Sequence, residues 1–102
     1  MKEIGYTTHD GMPDRESMVG ELQDVSAESR ANANSMIATL TAEAKFVLYA
    51  IFNTPGELSE LLLGDKLTKS NLRKYLRLMG WKKRYIVKTM KELDTFTEEL
   101  FS

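Results

Sequence analysis

The chain has 102 residues, a formal net charge of −1 and no cysteine. That length suits a single domain with one small core, and the lack of cysteine excludes disulfides, thiolate nucleophiles and cysteine-based zinc sites. The near-zero total hides a sharp division: ten of the fourteen Lys and Arg residues fall in the 26 residues from Lys66 to Lys91, which hold no Asp or Glu, leaving four bases against fifteen acids elsewhere.

In chain order, residues 1–13 contain Thr7, Thr8, Asp10, Gly11 and Pro13 without apolar periodicity, which predicts a tail ending near a helix cap at Asp14. Its opening, MKEIGYTTHDGM, lacks the apolar segment of a signal peptide, and no apolar run reaches membrane-spanning length, so the expectation is a cytoplasmic protein without membrane contact. Beyond Arg15, Met18, Leu22 and Val25 have helical spacing, while SAESRANANS has no large apolar residue and reads either as a solvated helix or as a linker. Residues 1–35 are therefore expected to form a flexible acidic arm, partly disordered or helical. The compact domain is expected over 36–102.

That domain opens with Met36, Ile37 and Leu40, followed by Thr41 as the cap of AEAKFVLYAIF. Leu40, Ala44, Val47, Leu48 and Ile51 mark one face and Phe46, Tyr49 and Phe52 another, the pattern of a central helix buried on nearly all sides. Thr54-Pro55-Gly56-Glu57 has the form of a capping box with proline at the first helical position, predicting a short helix through Leu61 and Leu62 that Gly64 and Asp65 stop. In the basic segment, Leu72, Tyr75, Leu76 and Met79 recur at i, i+3, i+4 and i+7, which predicts a helix with Lys69, Arg73, Lys74 and Arg77 outward. Gly80 is placed to end it in a left-handed conformation. A last helix then starts at Trp81 to Lys83 and buries Ile86, Met90, Leu93, Phe96 and Leu100. The fold class read from this pattern is all-α, a compact bundle of four to five helices.

Catalytic chemistry has little to work with. The one histidine, His9, lies in the polar N-terminal stretch, and Glu57 and Glu60 have helix-surface spacing with no metal-ligand partner nearby. The sequence thus predicts neither an enzyme nor a cofactor or metal.

Two basic helices joined at a glycine match a helix-turn-helix, whose second helix presents its first turns to the major groove of DNA. Tyr75, Met79, Trp81 and Ile86 would lock the pair, although Leu76 stands where a small residue is common and Thr89 where a larger aliphatic is usual. Lys82, Lys83, Arg84, Tyr85 and Lys88 are the candidates for base edges. Lys69, Arg73, Lys74 and Arg77 are candidates for phosphate, and Lys91 completes the basic set. Trp81 directly after the turn glycine reads as a core anchor.

From LTAEAKFVLYAIFNTPGEL through LTKSNLRKYLRLMGWKKRYIVKTMKEL, about residues 36–97, the chain resembles small bacteriophage proteins related to the fourth region of bacterial sigma factors. Leu40, Thr41, Glu43, Val47 and Leu48 match that family's opening helix. Pro55, Glu57 and Leu58 match its connection, and Leu72 to Met79, Gly80-Trp81 and Glu92-Leu93 its final helices. The resemblance implies a phage transcription regulator that binds duplex DNA or acts with bacterial RNA polymerase. Two alternatives remain open: a protein-interaction module that binds RNA polymerase or another partner without touching DNA, and the small DNA-recognition subunit of a packaging machine.

Overall fold

Periodicity, caps and breakers resolve into seven helices in the computed structural model, which describes residues 17–101. Three are short: α1 (Met18–Gln23), α2 (Ala27–Asn32) and α3 (Asn34–Ala38). Four longer ones follow: α4 (Ala42–Asn53), α5 (Gly56–Leu62), α6 (Lys69–Leu78) and α7 (Lys83–Leu100). No strand occurs among the described residues, so the protein is all-α. Its helices outnumber the expected four or five because the N-terminal third breaks into three pieces. Ser26 restarts the chain after α1, its hydroxyl accepting from the Ser29 amide at 3.1 Å, and Ala33 alone separates α2 from α3.

The expected boundary at residue 36 does not divide an arm from a core. Met18, Val19 and Leu22 are fully buried, and α1 lies against both α4 and α7. Their i, i+1, i+4 spacing gives α1 an apolar stripe that only the main core can cover. α2, by contrast, buries nothing, which is the solvated-helix reading of SAESRANANS. The predicted tail, the Asp14 cap and His9 lie outside the described residues.

α4 and α7 form the centre. Thr41 caps α4 as expected, its hydroxyl accepting from the Ala44 amide at 3.2 Å. A second partner was not foreseen: the Thr41 amide and hydroxyl both donate to the Glu92 carboxylate of α7, at 2.9 and 2.7 Å. A negative charge at the start of α4 also suits the positive end of that helix. Ala44, Val47, Leu48 and Ile51 are buried as predicted, and a leucine buried to this degree contributes roughly 1.5–3 kcal/mol. The expectation of burial on nearly all sides fails, because Phe46 and Tyr49 remain 41% and 51% exposed. α7 covers one flank of α4, and none of the described elements covers the opposite one completely.

The junction to α5 also differs from the sequence reading. Thr54 does not open a capping box; it closes α4 in the left-handed region at φ 43°, its amide donating to the Ala50 carbonyl at 2.8 Å. Pro55 then stands at the N-cap itself, with no side-chain cap. Two residues join α4 to α5, so the residue that ends the first helix cannot also cap the second. α5 packs on α6, and α6 on α7.

Candidate nucleic-acid interface

The basic segment begins in an ordered loop. Asn71 donates through Nδ2 to the Lys66 carbonyl at 3.2 Å, holding the approach to α6, while the Thr68 hydroxyl caps that helix by accepting from the Asn71 amide at 3.1 Å. Leu72, Tyr75 and Leu76 are buried as predicted. Lys74 and Arg77 are exposed and Arg73 is half-buried.

Lys69 departs from expectation and is withdrawn from the phosphate-contact set. It is 3% exposed, and its ammonium lies 2.9 and 3.0 Å from the two carboxylate oxygens of Asp94 on α7. Placed three residues before Leu72, it occupies the flank of α6 that faces α7 rather than the outer face. A charge so buried requires a partner with this geometry, and the pair ties α6 to α7. The partner, Asp94, lies outside the basic segment.

The turn follows the glycine prediction closely. Gly80 has φ 97°; its amide donates to the Arg77 carbonyl at 2.9 Å and the Trp81 amide to the Leu76 carbonyl at 3.0 Å. These are the two bonds of a Schellman ending, which satisfies carbonyls that α6 would otherwise leave open. Met79, expected in the core, is instead 47% exposed, because it is the C-cap residue and sits beyond the last turn that faces α7. Trp81 is partly buried against the core, and its ring centroid lies 6.0 Å from that of Phe46. Leu76 and Thr89, the two departures from the usual motif, are both buried.

α7 starts with the densest charge of the molecule. Lys82 is its N-cap, without a side-chain cap, and no acid occupies its first turn. Lys82, Lys83, Arg84, Tyr85 and Lys88 are all exposed, as the sequence led us to expect, and Lys91 is half-buried. The Arg84 guanidinium carbon stands 5.1 Å from the Tyr85 ring centroid, a stacking that steadies both side chains. Three cations beside an uncapped N-terminus oppose the helix field, an arrangement unfavourable by about 0.3–1 kcal/mol per charge in the absence of an anion. On the outer face, Lys83, Arg84, Val87, Lys88 and Lys91 line a groove of about 570 Å³.

The helix pair is thus a basic surface made of α6 and the first half of α7, with Lys69 and Asp94 as its internal brace. Comparison with protein-family models, curated proteins and solved structures finds no match.

A second surface has the opposite character. Phe46 and Tyr49 of α4, Leu61 of α5, and Tyr75, Leu78 and Met79 at the end of α6 line two adjoining grooves of about 340 and 480 Å³, with Glu57 shared by both and Glu60 beside it. Burial, reinforced by the Glu57 carboxylate, raises the Tyr75 phenol above its ordinary value. Glu57 and Glu60 therefore border an apolar groove and form no metal cluster, none being found among the described residues. No described helix is long and apolar enough to cross a membrane.

Proposed function

We propose that this protein is a non-enzymatic transcription regulator that binds duplex DNA through α6 and the first turns of α7. The supporting observation is the basic helix pair with the loop that leads into it: Lys66, Arg73, Lys74, Arg77, Lys82, Lys83, Arg84, Lys88 and Lys91 are exposed or half-exposed there, with no acid between the first and last of them. The four-residue turn between α6 and α7, from Met79 to Lys82, suits a helix-turn-helix. A polyanion would also relieve the cations crowded at the start of α7. The resemblance to sigma-like phage proteins agrees with this reading and adds promoter DNA and host RNA polymerase to the proposed partners.

The test is fluorescence anisotropy of a labelled mixed-sequence duplex titrated at several salt concentrations. Five phosphate contacts correspond to a slope of about −4.5 in log affinity against log salt. Replacing Lys82, Lys83 and Arg84 together by Gln should abolish most of the binding while helicity stays intact. Unchanged affinity in that variant, or no binding at low salt, rejects the assignment.

A second reading has its own observation, the apolar groove bordered by Glu57 and Glu60. Leu78 is 70% and Tyr49 51% exposed there, beyond what solubility favours in adjoining positions. In this reading the protein docks on RNA polymerase through the groove, with or without DNA. Leu78→Glu should then lose binding to purified polymerase and keep DNA affinity; retained polymerase binding removes the reading.

A further inference from the structure

The outer groove of α7 contains one side chain that its charge does not explain. Arg84, Val87, Lys88 and Lys91 follow one another at i, i+3, i+4 and i+7, the spacing of a single helical face, and Val87 is the apolar residue of that face. It is 43% exposed. A valine in this position gains little in the free protein: β-branched residues are poorer helix formers than alanine, and nearly half of its surface is left in water. What it does offer is rigidity. In a helix its χ1 is confined to essentially one rotamer, so its methyl groups are presented at a fixed place between cations, in the second turn of the helix that carries the DNA-facing residues.

Among the bases, thymine alone shows a methyl group in the major groove, and apolar side chains recognise it by contact. We propose that Val87 is a specificity-determining residue that packs on the 5-methyl group of a thymine while Lys83, Arg84 and Lys88, the base-edge candidates around it, hold the same stretch of duplex. The assignment rests on the DNA-binding reading above and adds a base preference to it. Phosphate contacts position a protein on the duplex without reading it; Val87 supplies a contact that differs between bases.

The experiment isolates the methyl group. The tightest duplex selected from a random pool is prepared twice, once with thymine and once with deoxyuridine at every thymine position, which keeps the charge and the base-pairing groups and removes only the methyl. Covering one such group is worth about four-fold in affinity. The wild-type protein should bind the thymine duplex at least about four-fold more tightly. Val87→Ala, which favours the helix and leaves the core untouched, should bind the two duplexes equally. Equal wild-type affinity for both, with salt-dependent binding intact, overturns the role of Val87 and leaves DNA binding standing. Thymine preference that survives in Val87→Ala overturns it as well. Failure to recover any binding duplex sinks the DNA reading itself.

Discussion

Removing Asp94 tests both the architecture and the division of labour among the cations. Its carboxylate holds the Lys69 ammonium at 2.9 and 3.0 Å, with both side chains at most 4% exposed. In Asp94→Ala the ammonium stays buried without this partner, a situation that costs about 3–5 kcal/mol. Small domains have a total stability of about 5–15 kcal/mol, and at this size each kcal/mol moves Tm by roughly 4–8 °C. The variant should therefore melt at least about 12 °C lower. The double variant Lys69→Met/Asp94→Leu removes both charges and fills similar volume, so it should recover most of the loss or exceed the wild type. Urea melts followed by helical circular dichroism give the three stabilities, and anisotropy with duplex DNA gives the second half of the test. Because Lys69 faces Asp94 and not solvent, the double variant should keep the wild-type affinity and salt slope. A loss of stability under about 1 kcal/mol in Asp94→Ala, the range of a surface pair, refutes the brace. A shallower salt slope in the double variant would return Lys69 to the DNA-binding set.

Three other perturbations follow from single positions. Lys83→Glu places an acid in the first turn of α7, so it should raise Tm by a few degrees, from about 0.3–1 kcal/mol of improved helix electrostatics, while DNA affinity collapses; a lower Tm would deny that the cations oppose the helix. Gly80→Ala meets no neighbouring atom within 4 Å but must adopt φ near 97°, so it should cost about 1–2 kcal/mol in a denaturant melt through backbone strain alone, and a neutral outcome contradicts the Schellman turn. For Tyr75 the folded-state pKa is raised, so the stability linked to its neutral phenol is present below about pH 10 and is lost as pH climbs through the folded value. Tyr75→Phe should flatten that alkaline decline, seen by comparing urea midpoints at about pH 9 and pH 11; an unchanged decline would place its cause elsewhere.

The sequence discloses local rules well and distant partners poorly. α6 and the start of α7 are legible because apolar spacing, Thr68, Gly80 and the cations all act within a few residues of one another. Thr41 is legible as a cap for the same reason. The link from Thr41 to Glu92 is not, since it spans 51 positions, and neither is the pairing of Lys69 with Asp94: the spacing to Leu72 places Lys69 on the inner flank, but no local signal names a partner 25 positions away. The same limitation explains Phe46 and Tyr49. An apolar side chain on a helix predicts burial only when an element exists to cover it, and α4 runs out of neighbours on that flank. Met18, Val19 and Leu22 show the converse: a six-residue helix looks too weak to matter until α4 and α7 are seen to receive it. Among the candidate site residues, charge density was visible in the sequence, whereas the removal of Lys69 and the position of Val87 on the outer face required the fold.

The position of α7 has a consequence for the order of events during folding. This helix touches α1, α4 and α6, and its contacts with α1 join segments at least sixty residues apart in the chain. Local helices can form early, but pairings at such separation wait for loop closure and set the pace. The helix that carries Lys82, Lys83 and Arg84 is also the one that closes the core. A nascent chain therefore cannot present the finished basic surface while its interior is still open.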